Sequence, residues 1–504
     1  MNPALCGLAA NAALPSELLD RLVETADGDV AAELARRADL SRTQAVALAA
    51  RVAGSGVPLA YAGTLGADDV DPVAQPDTAL ALLDAGRGRP EWARVLAADP
   101  LAGRRERLAA CAGLPGDVVE RLAADADIRV VAELALWATA DVAGRLARHP
   151  HAEVRRAAAV NEATPPDLLA ALIGGALPPA ARCLVCDREQ VPFVHDRQCP
   201  RPDCDLPPGA SCDGSHESTV HAMRHAALQN PATPADVAAG FADHPSMHLR
   251  WALAARPDLP SQVYERLAVD TVPGIRADLA ENPAIGEALI RVLAADRGHD
   301  VRRRLAHNPR VPLDVLTELA GTAKIGATLL PRIAAASPAE VTELARYPQP
   351  AVRMLPARRR DLPAGIRDAL AADPDAKVVA AVASHPGLPE AQLRAMADRY
   401  GAHVVAGVAG NPDATASLLD YLARHEPPVR KALREIARHP RATAPALLAC
   451  LADPRAGHVA AGHPALPPQV VTELLGHADW QVVRAAAANP SLPRAAMEGL
   501  LARP

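Results

Sequence analysis

Five of the chain's eight cysteines fall within thirty residues: Cys183, Cys186, Cys199, Cys204 and Cys212. Their spacing is C-x2-C-x12-C-x4-C-x7-C. A Cys-x-x-Cys turn aims two thiolates at one point, and a second pair across a loop completes a tetrahedron. Soft thiolates suit Zn2+ or an iron–sulfur cluster. Disulfides or a redox dithiol are the other chemistry open to such cysteines, and they belong to oxidising compartments or redox enzymes. Residues 176–218 hold few aliphatic side chains, so a bound metal has to supply the folding energy that a core would give. The reading taken is a Zn2+ site formed by Cys183, Cys186, Cys199 and Cys204, with an iron–sulfur cluster as the alternative.

The same stretch ends on Cys212-Asp213-Gly214-Ser215-His216. That pentapeptide resembles the signature of the CDGSH iron–sulfur family. The resemblance implies that Cys212 and His216 are ligands to a two-iron cluster. The family's upstream C-x-C is absent here; Cys204 stands alone, with Pro202 near the place of the missing cysteine. Downstream, His221 and His225 have the i, i+4 spacing of zinc peptidases. Ala222 stands where those enzymes need a glutamate base, which excludes hydrolysis by that route. Cys6, Cys111 and Cys450 are scattered and are expected to pack as small apolar residues.

The elements that must carry this insertion are repeats. Xaa-Pro pairs recur with prolines at 231, 257, 283, 309, 386, 412, 440, 464 and 490, mostly 26 residues apart. Each unit reads approximately (N/H/R)-P-x-x-P-x-x-Φ-Φ-x-x-L-A-x-D-x-x-x-x-V-R-x-x-L-A. The first proline ends a helix and forces the residue before it out of the α region. An Asn there suits a helix C-terminus, where its side chain can reach free carbonyls. The second proline (234, 260, 312, 363, 389, 467, 493) fits the first position of a new helix. Apolar residues then follow on one helical face, such as Val263, Tyr264 and Leu267, or Val315, Leu316 and Leu319. A second, shorter helix follows, with Asp300 ahead of Val301 as its expected N-cap. One such pair cannot bury its own stripe, so neighbours must stack.

These units resemble the leucine-rich repeat variant family. The resemblance implies an all-α solenoid, alternating a longer helix with a short 3-10 or α helix, in a right-handed superhelix. That family includes members with an attached four-iron cluster, which keeps iron in play. Repeats are expected over 1–175, degenerate at 51–89, and again over 219–504, with 176–218 as the metal-binding insertion.

The chain has 504 residues and a formal net charge of −6, with 2% aromatic residues. Neither value gives the basic, aromatic footprint of a nucleic-acid binder. Only three cations are lysines. The N-terminus has no basic, apolar signal pattern, and no run approaches the roughly 18 apolar residues of a membrane span. A cytoplasmic location is therefore expected. Arg250, Arg276, Arg302 and Arg353 share one repeat position, and Asp270, Asp296 and Asp373 share another; pairing between them is the expected role. No phosphate loop, nucleophile elbow or isolated acidic pair stands out. The sequence thus points to a non-enzymatic scaffold that binds a protein or peptide on its concave face. An iron–sulfur electron carrier and an Arg-using nucleic-acid binder are the alternatives.

Overall fold

The computed structural model describes residues 2–188, 190–201, 204, 206 and 208–502. Those residues form 35 α-helices, three 3-10 turns and one two-stranded antiparallel sheet. The fold is an all-α helical repeat. No helix among the described residues is long and apolar enough to cross a membrane. Two compact units are present. One comprises Met1–Leu65, Ala320–Thr322 and Gly326–Pro504; the other comprises Gly66–Leu319 and Ala323–Ile325. The cysteine-rich insertion lies wholly within the second.

The repeat spanning Ser261–Leu267 and Pro273–Glu281 illustrates how local chemistry builds the unit. Pro260 is not the first helical residue but the cap before it, with φ −57° and ψ 145°. Its ring fixes the extended approach, and its carbonyl accepts the first helical hydrogen bond, from Val263 N at 3.0 Å. Prolines 234, 312, 363, 389, 467 and 493 occupy the same cap position. Val263, Tyr264 and Leu267 are buried, as are Ile290 and Leu293, then Val315, Leu316 and Leu319. The second helix is α-helical and about as long as the first, seven residues in His299–Leu305 and nine in Pro273–Glu281. Its cap at His299–Leu305 is Gly298, with Asp300 inside the first turn. Asp296 takes the capping role by accepting from Gly298 N.

Two polar ladders run between successive repeats. In the first, the residue before the proline reaches back to the previous repeat. Asn308 Nδ2 donates to Ala280 O at 2.9 Å and Asn282 O at 2.8 Å, while its Oδ1 accepts from Arg310 N at 2.9 Å. Asn282 treats Ala254 and Arg256 likewise, and Asn411 and Asn489 do the same to their predecessors. His439 and His463 replace Asn with the same logic: Nε2 engages the previous repeat's carbonyl, and Nδ1 accepts the local N–H. Arg256 also occupies this position, with Nη1 donating to Leu228 O and Asn230 O. The asparagine therefore closes its neighbour's helix rather than its own.

The second ladder is ionic. Arg276 forks onto Asp296 at 2.7 and 3.2 Å and also donates to Asp270 O. Arg250–Asp270, Arg353–Asp373 and Arg105–Asp125 repeat the pattern. Arg302 keeps only the backbone bond, to Asp296 O. Pairing, the expected role, is thus what these rows do. The arginine triplets are engaged too, for example Arg303 with Asp300, Arg304 with Asp278, and Arg359 with Asp361.

In the first unit the stack runs from the C-terminal repeats directly into the N-terminal ones. Helix Pro3–Ala10 packs on helix Trp480–Ala488 so closely that a Cβ on Gly7 would lie 2.1 Å from Arg484 O. Asn11 Nδ2 donates to Ala487 O and Asn489 O, as Asn489 itself does to Ala461 and His463. Arg484–Glu33 and Arg494–Glu17 ion pairs flank the contact. The stretch 51–89, read as degenerate, carries helices Gly56–Ala62 and Pro76–Asp84 with a 3-10 turn between them.

Candidate metal centre

The insertion leaves the repeats after helix Pro166–Gly174 and rejoins them at helix Glu217–Gln229. It does not disturb the ladder. Asn230 donates to Asn161 O, 69 residues back, as Asn308 does to Asn282 O, 26 residues back. The module seats on the start of helix Ala152–Val160. Ala152 N donates to Arg182 O and Ala181 N donates to Pro150 O. The buried His151 bonds Asp187 at 3.0 Å, and Arg182 holds the other oxygen of that carboxylate at 2.7 Å. Burial lowers the His151 pKa, against the pull of Asp187. Ala152, Cys183, Val185, Leu206 and Cys212 make a small core of their own.

Four donors converge beside that core: Cys183, Cys186, Cys212 and His216, all within 4.8 Å of one another. Each arrives for a local reason. The turn at 183–187 points Cys186 Sγ back to accept from Cys183 N at 3.1 Å. Strand Phe193–Val194 pairs with Ser211–Cys212, setting Cys212 opposite Phe193. Gly214, at φ +98°, folds the chain so that its N–H donates to Cys212 Sγ at 3.3 Å. Asp213 Oδ1 accepts from Ser215 N and Oγ, which tightens the turn. His216 then sits in the left-handed region, φ 55°, as the residue before helix Glu217–Gln229. Its Nδ1 lies 3.5 Å from Cys212 Sγ and 3.9 Å from Cys186 Sγ.

A tetrahedron with metal–sulfur bonds of about 2.3 Å and a metal–nitrogen bond of about 2.0 Å has sulfur–nitrogen edges of roughly 3.5 Å, so these two separations suit one ion. The N–H groups of Cys183 and Gly214 aim at the Cys186 and Cys212 sulfurs and hold them in place. Without a cation at the centre, burial pushes the Cys183 thiol up to about 12, and the Cys212 and Cys186 thiols beside it add to the rise. A bound cation would supply the missing positive charge, and the ligands would lose protons as it binds.

Cys199 and Cys204 do not join Cys183 and Cys186 as the spacing had indicated. They group with His195, whose Nε2 lies 3.2 Å from Cys204 Sγ. The reason is the hairpin. His195 N donates to Ala210 O and Gly209 N donates to His195 O, which closes the hairpin at its base and fixes the backbone that carries His195. The expected four-cysteine set is thereby divided between two groups, and Cys212 and His216 take the places that Cys199 and Cys204 were to fill. His195 was not singled out from sequence, although the run His195-x3-Cys199-x4-Cys204 was there to find.

No family model matches this chain. No curated protein matches it either. Among solved structures, an engineered protein determined by a structural genomics consortium aligns over 83% of this chain and 95% of its own. The identity is 15% and the TM-score 0.19, values that carry no argument.

The remaining candidates are structural. His221 Nε2 meets Ser246 Oγ at 2.7 Å rather than forming a ligand pair with His225. Cys6, Cys111 and Cys450 are buried free thiols in the helical cores.

Proposed function

We propose that this chain is a non-enzymatic helical-repeat scaffold for a protein or peptide partner, carrying a structural Zn2+ at Cys183, Cys186, Cys212 and His216. One contrast supports the scaffold reading. The recurring polar residues, Asn before proline and Arg opposite Asp, are consumed between repeats. The exposed position just before the core leucine instead varies between apolar, basic, acidic and aromatic residues: Val95, Arg121, Arg266, Val292, Glu318 and Tyr421. A constant frame with a varied outer row is the design of a recognition surface read one repeat at a time. Pairing of the arginines weighs against the nucleic-acid reading, which needs guanidinium groups free for phosphate. The test is binding of the purified chain to an arrayed peptide library. Val292→Asp and Arg266→Glu should abolish selected peptides at unchanged helicity. Selection unaffected by either change would defeat the reading.

An iron–sulfur centre is the second reading, because three thiols and one imidazole are also the donor set that the CDGSH resemblance implies. Protein purified without oxygen decides between them. A colourless, zinc-containing sample supports the structural ion; a brown one with iron and labile sulfide replaces it with the redox reading.

A further inference from the structure

We infer that the insertion holds a second, separate metal ion at His195, Cys199 and Cys204, at a site more accessible to solvent than the first. The inference is independent of the four-donor site in its residues and rests on its own geometry. None of the three donors belongs to the first group, yet their ligand atoms also lie within 4.8 Å of one another. His195 is only 7% exposed. Its main chain is bonded on both sides, N–H to Ala210 O at 2.7 Å and C=O from Gly209 N at 3.1 Å, so the hairpin fixes the ring before any ion arrives. Cys204 Sγ is 3.2 Å from His195 Nε2, close to the sulfur–nitrogen edge of about 3.5 Å that a zinc tetrahedron requires. Cys199 is held by a turn in which its N–H donates to Asp196 O at 3.2 Å, with Gln198 N on Asp196 Oδ1. A buried imidazole 3.2 Å from a thiol, in a lobe with few aliphatic side chains, is what a soft divalent cation would organise.

The two groups differ in what they leave for solvent. In the first, three of four donors are buried and the fourth is intermediate. In the second, only His195 is buried and both thiols are intermediate. Solvent and chelators reach the second ion more readily, and it exchanges faster. The first ion exchanges slowly.

The experiment uses the full chain purified with zinc. Metal content per chain is measured by elemental analysis, and release is followed with a chromogenic chelator. Wild type should hold two ions, one released at least tenfold faster than the other. Cys199→Ser/Cys204→Ser should keep one ion and lose only the fast phase. Cys183→Ser should lose the slow phase. One ion per chain in both wild type and the double variant, with circular dichroism unaltered, overturns the second site and leaves the first standing. One ion that survives Cys183→Ser overturns the first and keeps the second.

Discussion

Replacing Asn308 by alanine tests whether the pre-proline asparagines hold neighbouring repeats together. Asn308 is 0% exposed and makes three bonds: two donated to Ala280 O and Asn282 O, and one accepted from Arg310 N. Alanine removes all three and leaves Ala280 O and Arg310 N without partners in a site closed to water, whereas Asn282 O keeps Ile285 N at 3.4 Å. At about 1 kcal/mol for each group so stranded, the cost is roughly 2 kcal/mol. Because the chain forms two units, a single unfolding midpoint would blur the effect. Native-state hydrogen exchange localises it. Amides of helices Pro273–Glu281 and His299–Leu305 should lose protection by roughly 30-fold, since each tenfold corresponds to about 1.4 kcal/mol. Asn308→His should cost far less, because His439 and His463 fill the same place in other repeats. A change below about fivefold for alanine, or equal damage from histidine, would refute the ladder argument.

Gly7→Ala should expel helix Pro3–Ala10 from helix Trp480–Ala488, because its Cβ would meet Arg484 O; exchange in both helices should rise, whereas Gly28→Ala, which meets nothing within 4 Å, should change neither. Burial, with Arg360 and Arg367 nearby, lowers the His385 pKa to about 4. The folded protein thus keeps this ring neutral while the unfolded chain protonates it near the ordinary histidine value of 6.5. Its contribution is full above pH 6.5 and is lost as pH falls towards 4; His385→Asn should flatten that part of a melting-temperature profile. Arg276→Ala should leave Asp296 with the Gly298 N–H but without the guanidinium, whose hydrogen bond holds its carboxyl below the usual range against the effect of burial. A loss of about 2 kcal/mol is expected near neutrality, read as exchange in helices Pro273–Glu281 and Glu287–Ala294, and it should shrink as pH falls through the carboxyl's folded pKa.

What could be read in the sequence was what depends on near neighbours. Proline punctuation and the Val263, Tyr264, Leu267 stripe act within one helix, so repeat length, helical class and buried face were all visible. The partner of Asn282 was not, because capping rules look to the residue's own helix while the carbonyls it bonds lie in the repeat before. Proline 260 was placed one residue too late for the same local reason: a missing N–H is tolerated equally at the cap and at the first turn. At the metal centre, the Cys-x-x-Cys turn and the four-residue step from Cys212 to His216 were legible. Their union was not, since it depends on a two-residue strand pair that sets Cys212 opposite Phe193. Nothing in the sequence indicated that Asn11 would stack on Asn489, 478 positions away.

That last contact sets a timetable for synthesis. Leu8 and Ala9 are fully buried in the finished protein, yet helix Trp480–Ala488, against which their helix packs, lies hundreds of residues further along the chain. At about 5–20 residues per second, a ribosome needs roughly half a minute to a minute and a half to cover that interval. Throughout it, helix Pro3–Ala10 and the Asn11 amide wait for a partner that has yet to be made.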